Sequence, residues 1–271
     1  MLGSASQLPC DEEYIMIRCV HCNKENEDIF TYCLNCGKPL EQSLSSFRPK
    51  AASPAKKVSF KLEEVRVDGS QGEVFPLVQG FNTIGKSGGQ VNIPDDPRVC
   101  DGHATLDVGA DMAFLEDNSS VYGTFVRIRD EVALTDGDQL RIGHGLFQVQ
   151  LSLPLPPPTS DGAAWLGSAG ALSNHSGRLL RLGPDGVVLE AYLLGSNELL
   201  IGRTSGDVLM SQDPFVSSRH ASISVKGGTC KLTDLGSTNG SFLKIRGRVA
   251  VSPGDVILIG QKLLRLRRVE G

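Results

Sequence analysis

The sequence predicts an all-β protein in which two antiparallel β-sandwiches follow a small four-cysteine module. Three observations carry this reading. Shifted by 117 residues, the chain aligns with itself without a gap from about Asp68 to Gly143, so one domain occurs twice. Within each copy, short runs rich in Val, Ile and Leu are broken by Gly, Pro, Asn and Asp, and no stretch holds a helical period. Ahead of both copies, four of the seven cysteines are gathered into two Cys-x-x-Cys pairs.

Residues 1–15, "MLGSASQLPCDEEYI", have neither the basic end nor the apolar middle of a secretory leader, and they are expected to form a disordered extension. Translation can begin at Met1 or at Met16. Residues 16–40 hold "CVHC" and "CLNC", that is Cys19, Cys22, Cys33 and Cys36. Two such pairs ten residues apart can turn four thiolates onto one tetrahedral metal ion, since each pair curls around a tight knuckle. Two disulfides are the alternative, and nothing in the chain indicates export. The spacing and the "CGKPL" ending resemble a zinc ribbon, and that resemblance implies one structural zinc ion held by the four sulfurs. His21 is then a surface residue. Residues 41–57, rich in Ser, Pro, Ala and Lys, read as a flexible linker.

The two sandwiches are expected at 58–153 and 178–271, joined by a Pro/Gly/Ser-rich linker at 154–177 that begins "PLPPPTSDG". Under the shift, "TIGKSGGQV" falls on "LIGRTSGDV", "DPRVCDGHA" on "DPFVSSRHA", and "LEDNSSVYGTF" on "LTDLGSTNGSF". "GRLLRLGPDGVVLEAYLL" reads as a hairpin around Pro-Asp-Gly. "HASISVKGGTCKLTDL" alternates apolar and polar residues across Gly-Gly, as half-buried antiparallel strands do. The polar clusters therefore belong to loops at one end of a rigid scaffold, a common place for a binding site.

"IGR", "SSRHA", "STNGSF" and "GDVILIG" stand in the second copy in the order and spacing of the forkhead-associated (FHA) domain, which residues 178–271 resemble. The resemblance implies a loop surface that binds phosphothreonine in a partner protein. Carried over residue by residue, it assigns Arg203, Ser217, Ser218, Thr238 and Asn239 to the phosphopeptide, with Gly202, His220 and Gly240 supporting the loops. The chemistry agrees: a phosphate brings about −1.5 to −2 charges and three acceptor oxygens, which a planar guanidinium and aimed hydroxyls can meet. A surface ion pair of Arg203 with Asp207 is the alternative role for that arginine. Ser217, His220 and Asp234 also invite a catalytic-triad reading, but no nucleophile elbow precedes the serine, and no enzyme activity is expected.

The first copy departs from the pattern at the contact positions. Lys86 stands opposite Arg203, Cys100 opposite Ser217, Asp101 opposite Ser218, Val121 opposite Thr238 and Tyr122 opposite Asn239. Lys86 lacks the guanidinium fork, Val121 can donate nothing, and Asp101 repels a phosphate. Gly85, His103 and Gly123 remain. Residues 58–153 are therefore expected to keep the fold as a degenerate copy that has lost phosphothreonine binding.

A net charge of −4, and a ribbon whose charges balance, disfavour nucleic acid as a partner, and no run of eighteen apolar residues points to a membrane. The expected protein is a cytoplasmic adaptor in Ser/Thr kinase signalling. Its partner is a phosphothreonine-containing protein, either a kinase or a kinase substrate. The alternative is a phosphate-independent assembly protein working through the ribbon and the first sandwich.

Overall fold

The computed structural model describes residues 16–27, 33, 35–36, 40, 59–151 and 176–269. The extension expected at 1–15, the linker at 41–57 and nearly all of the linker at 154–177 lie outside the described residues. The chain divides into two units between Ala55 and Lys56. In the first unit, β1 (Met16–Arg18) and β2 (Glu25–Glu27) form an antiparallel hairpin. Its turn carries Cys19 and Cys22. Asn23 has φ 61° there, left-handed backbone that Asn tolerates better than most residues.

The second unit holds the two repeats. The first contributes β3 (Ser59–Val65), β4 (Gln71–Pro76), β5 (Gly80–Gly85), β6 (Val91–Asn92) and β7 (Ala104–Val108). It continues with β8 (Ala113–Asp117), β9 (Thr124–Arg127), β10 (Glu131–Leu134), β11 (Gln139–Ile142) and β12 (Gly145–Gln150). The second contributes β13 (Gly177–Leu182), β14 (Val188–Leu194), β15 (Leu199–Gly202), β16 (Val208–Leu209) and β17 (Ala221–Lys226). It ends with β18 (Thr229–Asp234), β19 (Ser241–Lys244), β20 (Arg248–Val251), β21 (Val256–Ile259) and β22 (Lys262–Val269). Every strand of one series has its counterpart in the other under the 117-residue shift. Alternation is clean where one face is buried: Ala104, Leu106 and Val108 of β7 point inward while Thr105 and Asp107 are half-exposed.

Strand pairing crosses between the repeats. One sandwich sets the sheet β20-β8-β7-β5-β6 against β9-β21-β22-β3-β4, and the other sets β10-β18-β17-β15-β16 against β14-β13-β12-β11-β19. The last three strands of each repeat thus complete the sandwich begun by the other. β9 and β19 pair edge to edge, Leu243 opposite Val126, and join two half-sheets into one ten-stranded sheet. The cores record the same exchange. Leu134, Leu140, Ile142, Phe147 and Val149 of the first repeat are buried with Leu179, Ile201, Ile223 and Leu232 of the second. Val251, Ile257, Ile259, Leu264 and Leu266 of the second are buried with Phe60, Ile84, Leu106 and Leu115 of the first.

The boundaries 58–153 and 178–271 therefore follow the repeats along the chain, while packing follows the exchanged strands. The reason is local. Ile128 N–H donates to the Ser241 carbonyl and Ile245 N–H to the Thr124 carbonyl, each at 2.9 Å, so on leaving β9 and β19 the chain is tied to the other repeat and runs on into the other sandwich. Both repeats share one apolar pattern, so the exchange reproduces the same interfaces that self-closure would make. Hinge arginines brace the crossings: Arg129 pairs with Asp255 at 3.0 Å and Arg246 with Asp138 at 2.9 Å, again matching positions under the shift.

Candidate functional site

Three loops of the second repeat meet at one end of its sandwich, following β15, preceding β17 and joining β18 to β19. The strands fix how close they come. Arg203 N–H donates to the Ser217 carbonyl at 2.9 Å and Ser205 N–H to the Ser218 carbonyl at 3.2 Å, which lays the first loop along the second. Gly202 is required at that contact, because a Cβ there would run into the carbonyl oxygens of Ser218 and Ser205. Arg203 is half-buried, and among the described residues its guanidinium forms no ion pair. Asp207, the partner considered for it, accepts instead from Leu200 N–H at 2.8 Å.

The third loop is tied to the second through side chains. Thr238 N–H donates to Ser217 Oγ at 3.2 Å, and Asn239 Nδ2 donates to the Phe215 carbonyl at 2.9 Å. Ser218 and Thr238 are exposed, while Ser217 and Asn239 are half-buried. The structure thus gathers Arg203, Ser217, Ser218, Thr238 and Asn239 around one small surface. Ser217 Oγ accepts one bond and keeps its own O–H to donate.

Beneath this surface lies His220, fully buried. Its Nδ1 accepts from Ser217 N–H at 3.1 Å and its Nε2 faces the Gly240 carbonyl at 3.2 Å. That pattern requires the proton on Nε2, so one imidazole links the two loops. Burial draws its pKa below the ordinary value, against the pull of the Gly240 carbonyl, Asp234 and Asp213, which keeps the ring neutral. Asp234 anchors the third loop, accepting from Ser237 N–H and the Ser237 hydroxyl at 2.8 Å and from the Ser241 hydroxyl at 2.7 Å. Burial pushes its pKa up, but these donors outweigh burial and hold the carboxyl below its usual range. The Ser217 hydroxyl, the His220 ring and the Asp234 carboxylate thus each engage other partners, and the geometry of a triad does not arise.

The same brace stands in the first repeat. His103 is buried with Nδ1 toward Cys100 N–H at 3.4 Å and Nε2 toward the Gly123 carbonyl at 3.3 Å. Its rim differs: Val121 is 81% and Tyr122 55% exposed, and Asp101 accepts from the Ser87 hydroxyl at 2.8 Å.

The exchange brings residues to the second repeat's loops that sequence reasoning missed. Arg127, at the end of β9 in the first repeat, packs its guanidinium over Gly240, whose φ of +85° and lack of Cβ admit it. The β11–β12 turn of the first repeat seats on Asp213, with His144 N–H donating to Oδ2 at 2.7 Å and the His144 ring at 3.2 Å from Oδ1. The mirror contact joins Gln261 N–H to Asp96 Oδ2 at 2.6 Å. The signal was present in the repeated "DP" dipeptide and in the basic pair Arg127 and Lys244, but it did not say which copy each would serve.

In the first unit, the four cysteine sulfurs lie within 4.8 Å of one another. Cys19 and Cys36 approach to 3.7 Å and Cys22 and Cys33 to 3.5 Å, far beyond disulfide length, so neither close pair is disulfide-bonded. A tetrahedral ion with bonds of about 2.3 Å would separate sulfurs by about 3.8 Å, so the cluster has the size of a metal site. Asn26 Nδ2 lies 3.6 Å from Cys33 Sγ, placed to donate to a thiolate.

The FHA domain family model matches residues 82–143 and 199–260, so an FHA domain is recognised in each repeat. The chain is similar to the FHA domain-containing protein FhaB of Mycolicibacterium smegmatis, 39% identical over 77 residues that make up 27% of this chain and 50% of that protein. It is also similar to FhaB of Mycobacterium tuberculosis, 33% identical over 96 residues, 34% of this chain and 62% of that protein. Each match therefore spans less than two thirds of the relative's length. A solved structure described as a structural and functional analysis of phosphothreonine-dependent FHA domain interactions is 31% identical, covering 36% of this chain and 99% of its own, with a TM-score of 0.23.

Proposed function

We propose that the protein is a signalling adaptor whose second repeat binds phosphothreonine in a partner protein, acting downstream of a Ser/Thr kinase. One observation carries the reading. A half-buried Arg203 without an ion pair among the described residues stands in a loop bonded to that of Ser217 and Ser218, to which Thr238 N–H in turn ties the third loop. FHA domains read phosphorylated motifs through such cationic sites, and two of them are recognised here. In this reading Arg203 holds two phosphate oxygens and Ser217 donates its hydroxyl to a third. Ser218 and Thr238 line the approach, and Asn239 exchanges its Phe215 contact for the ligand main chain. His220, Gly202 and Gly240 keep the loops in place. The four cysteines hold one zinc ion that folds the ribbon, and the protein works in the cytoplasm.

Titration of the full chain against a degenerate phosphothreonine peptide library, beside its unphosphorylated twin, tests the proposal. Binding that requires both the phosphate and Arg203 is expected. Equal binding of both libraries, or no effect of Arg203→Ala, refutes it. A second reading draws on the first repeat, where exposed Val121 and Tyr122 replace the donors of the second. Such an apolar rim suits an unphosphorylated partner, and loss of partner recruitment on Tyr122→Ser with Arg203 intact would favour this assembly role.

A further inference from the structure

A cavity of about 430 Å³ opens beside Thr238, Asn239 and Gly240 on the side that the exchanged strands complete. Its walls include Phe242, Val256, Leu258 and Leu263 of the second repeat. Five arginines line it, namely Arg66, Arg98, Arg127, Arg141 and Arg265, against a single carboxylate, Asp68. None of the five forms an ion pair among the described residues, although most other arginines of the second unit do. Asp213, the acid that faces Arg141, already accepts from His144 N–H, the His144 ring and Phe215 N–H. Burial and then repulsion from Arg98 draw the Arg141 pKa down and outweigh the opposing pull of Asp213.

Nor does the shared scaffold dictate this charge. The positions matching Arg66, Arg98, Arg127, Arg141 and Arg265 in the other repeat are Gly183, Phe215, Lys244, Leu258 and Gln148. Four of the five cations thus have no basic counterpart, and the cluster exists only where both repeats converge on the candidate phosphothreonine loops.

Resting on the phosphothreonine reading of those loops, we infer that this cavity receives a second phosphate carried by the same peptide. Guanidinium forks match phosphate oxygens in pairs, and a doubly charged group with three acceptors engages several of them, where a carboxylate would leave most of the charge unmet. The apolar wall suits the stem of the phosphorylated side chain. A volume of about 430 Å³ admits a side chain and neighbouring main chain but no duplex, which favours peptide over nucleic acid.

The test is calorimetric titration of the full chain with phosphothreonine peptides in which a second phosphoserine is walked residue by residue along both flanks. The expected result is a spacing at which affinity rises about tenfold or more over the singly phosphorylated peptide. That ratio should fall toward one in Arg141→Gln and in Arg98→Gln, the latter covering the case in which Arg141→Gln fails to fold. Binding of singly phosphorylated peptides with no gain at any spacing overturns the inference and leaves the Arg203 reading standing. A gain that survives both variants overturns it too, because the second phosphate then sits elsewhere. Failure of every phosphopeptide to bind overturns both readings together. Tighter binding of a single-stranded oligonucleotide, lost in the same variants, would give the cavity to another ligand and overturn the peptide assignment.

Discussion

The strand exchange predicts which engineered cysteines can meet. Glu131 of β10 lies opposite Thr233 of β18, in the other repeat. Had each repeat closed on itself, the 117-residue shift would put Glu131 opposite Glu116 instead. Opposed residues hold their Cβ atoms about 4.5–5.5 Å apart, so a disulfide needs only a small adjustment. Glu131 is exposed and Thr233 half-buried, so both positions are open to oxidant. The double change Glu131→Cys with Thr233→Cys removes the Glu131–Lys231 ion pair, which is exposed and contributes little. The new bond closes a loop of about 100 residues, for which chain entropy gives about 4.7 kcal/mol, and engineered disulfides commonly deliver 2–4. In a unit of this size that raises the melting temperature by roughly 5–15 °C. The control, Glu131→Cys with Glu116→Cys, would close only about 15 residues, with about 3 kcal/mol at most. Native Cys230 will not compete, since burial, with Asp138 behind it, raises its pKa to about 11. Cys100 is replaced by Ser. Peptide mapping of the oxidised proteins, with melting before and after reduction, reads the outcome. A disulfide between 131 and 116, with 131 and 233 remaining reduced, would refute the exchange.

Other expectations concern the site and its supports. Arg203→Ala should weaken phosphopeptide binding roughly ten- to a hundredfold or more, as loss of charge-assisted bonds implies, and Arg203→Lys should recover only part of it in the same titration. Folding stability should fall on acidification in two stages. The folded pKa of His220 lies below its ordinary 6.5, so its contribution is full above that value and is lost as pH drops toward the folded one. Asp234, also depressed, keeps its contribution above the ordinary 3.8 and loses it below. Denaturant melts across pH should show both limbs, with the upper one absent in His220→Gln. A strong chelator should strip one zinc ion per chain and expose four thiols to Ellman's reagent, while Cys22→Ser should bind no ion by mass spectrometry.

The elements were legible because each obeys a local rule. Period-two alternation, Gly-rich turns and the 117-residue repeat mark the strands, and the Cys-x-x-Cys spacing marks the sulfur cluster. The loop that carries Ser217 and the loop that carries Thr238 could be brought together from motif order alone, since Gly202 and Gly240 announce close approaches. Partnership could not be read in the same way. β11 and β21 match at their inward positions, Leu140 with Ile257 and Ile142 with Ile259, so either can fill the groove beside β12 or β22, and these core positions do not separate closure within a repeat from exchange between repeats. What decides is the short backbone between β9 and β10 and between β19 and β20, where Ile128 and Ile245 bond across to the other repeat. A hinge of three residues carries little propensity signal, yet it redirects three strands. For the same reason the arginine cavity was invisible: Arg66, Arg98, Arg127 and Arg141 are spread over seventy-six residues of one repeat and Arg265 lies in the other. Only the exchange brings them beside Thr238 and Asn239. The first repeat is then more than a spacer, because its β11–β12 turn seats the Asp213 loop and its Arg127 covers Gly240. The strands of the first repeat, bound into both sandwiches, hold the brace around His103 and the inward apolar pattern in place, while its rim differs from that of the second at Val121 and Tyr122.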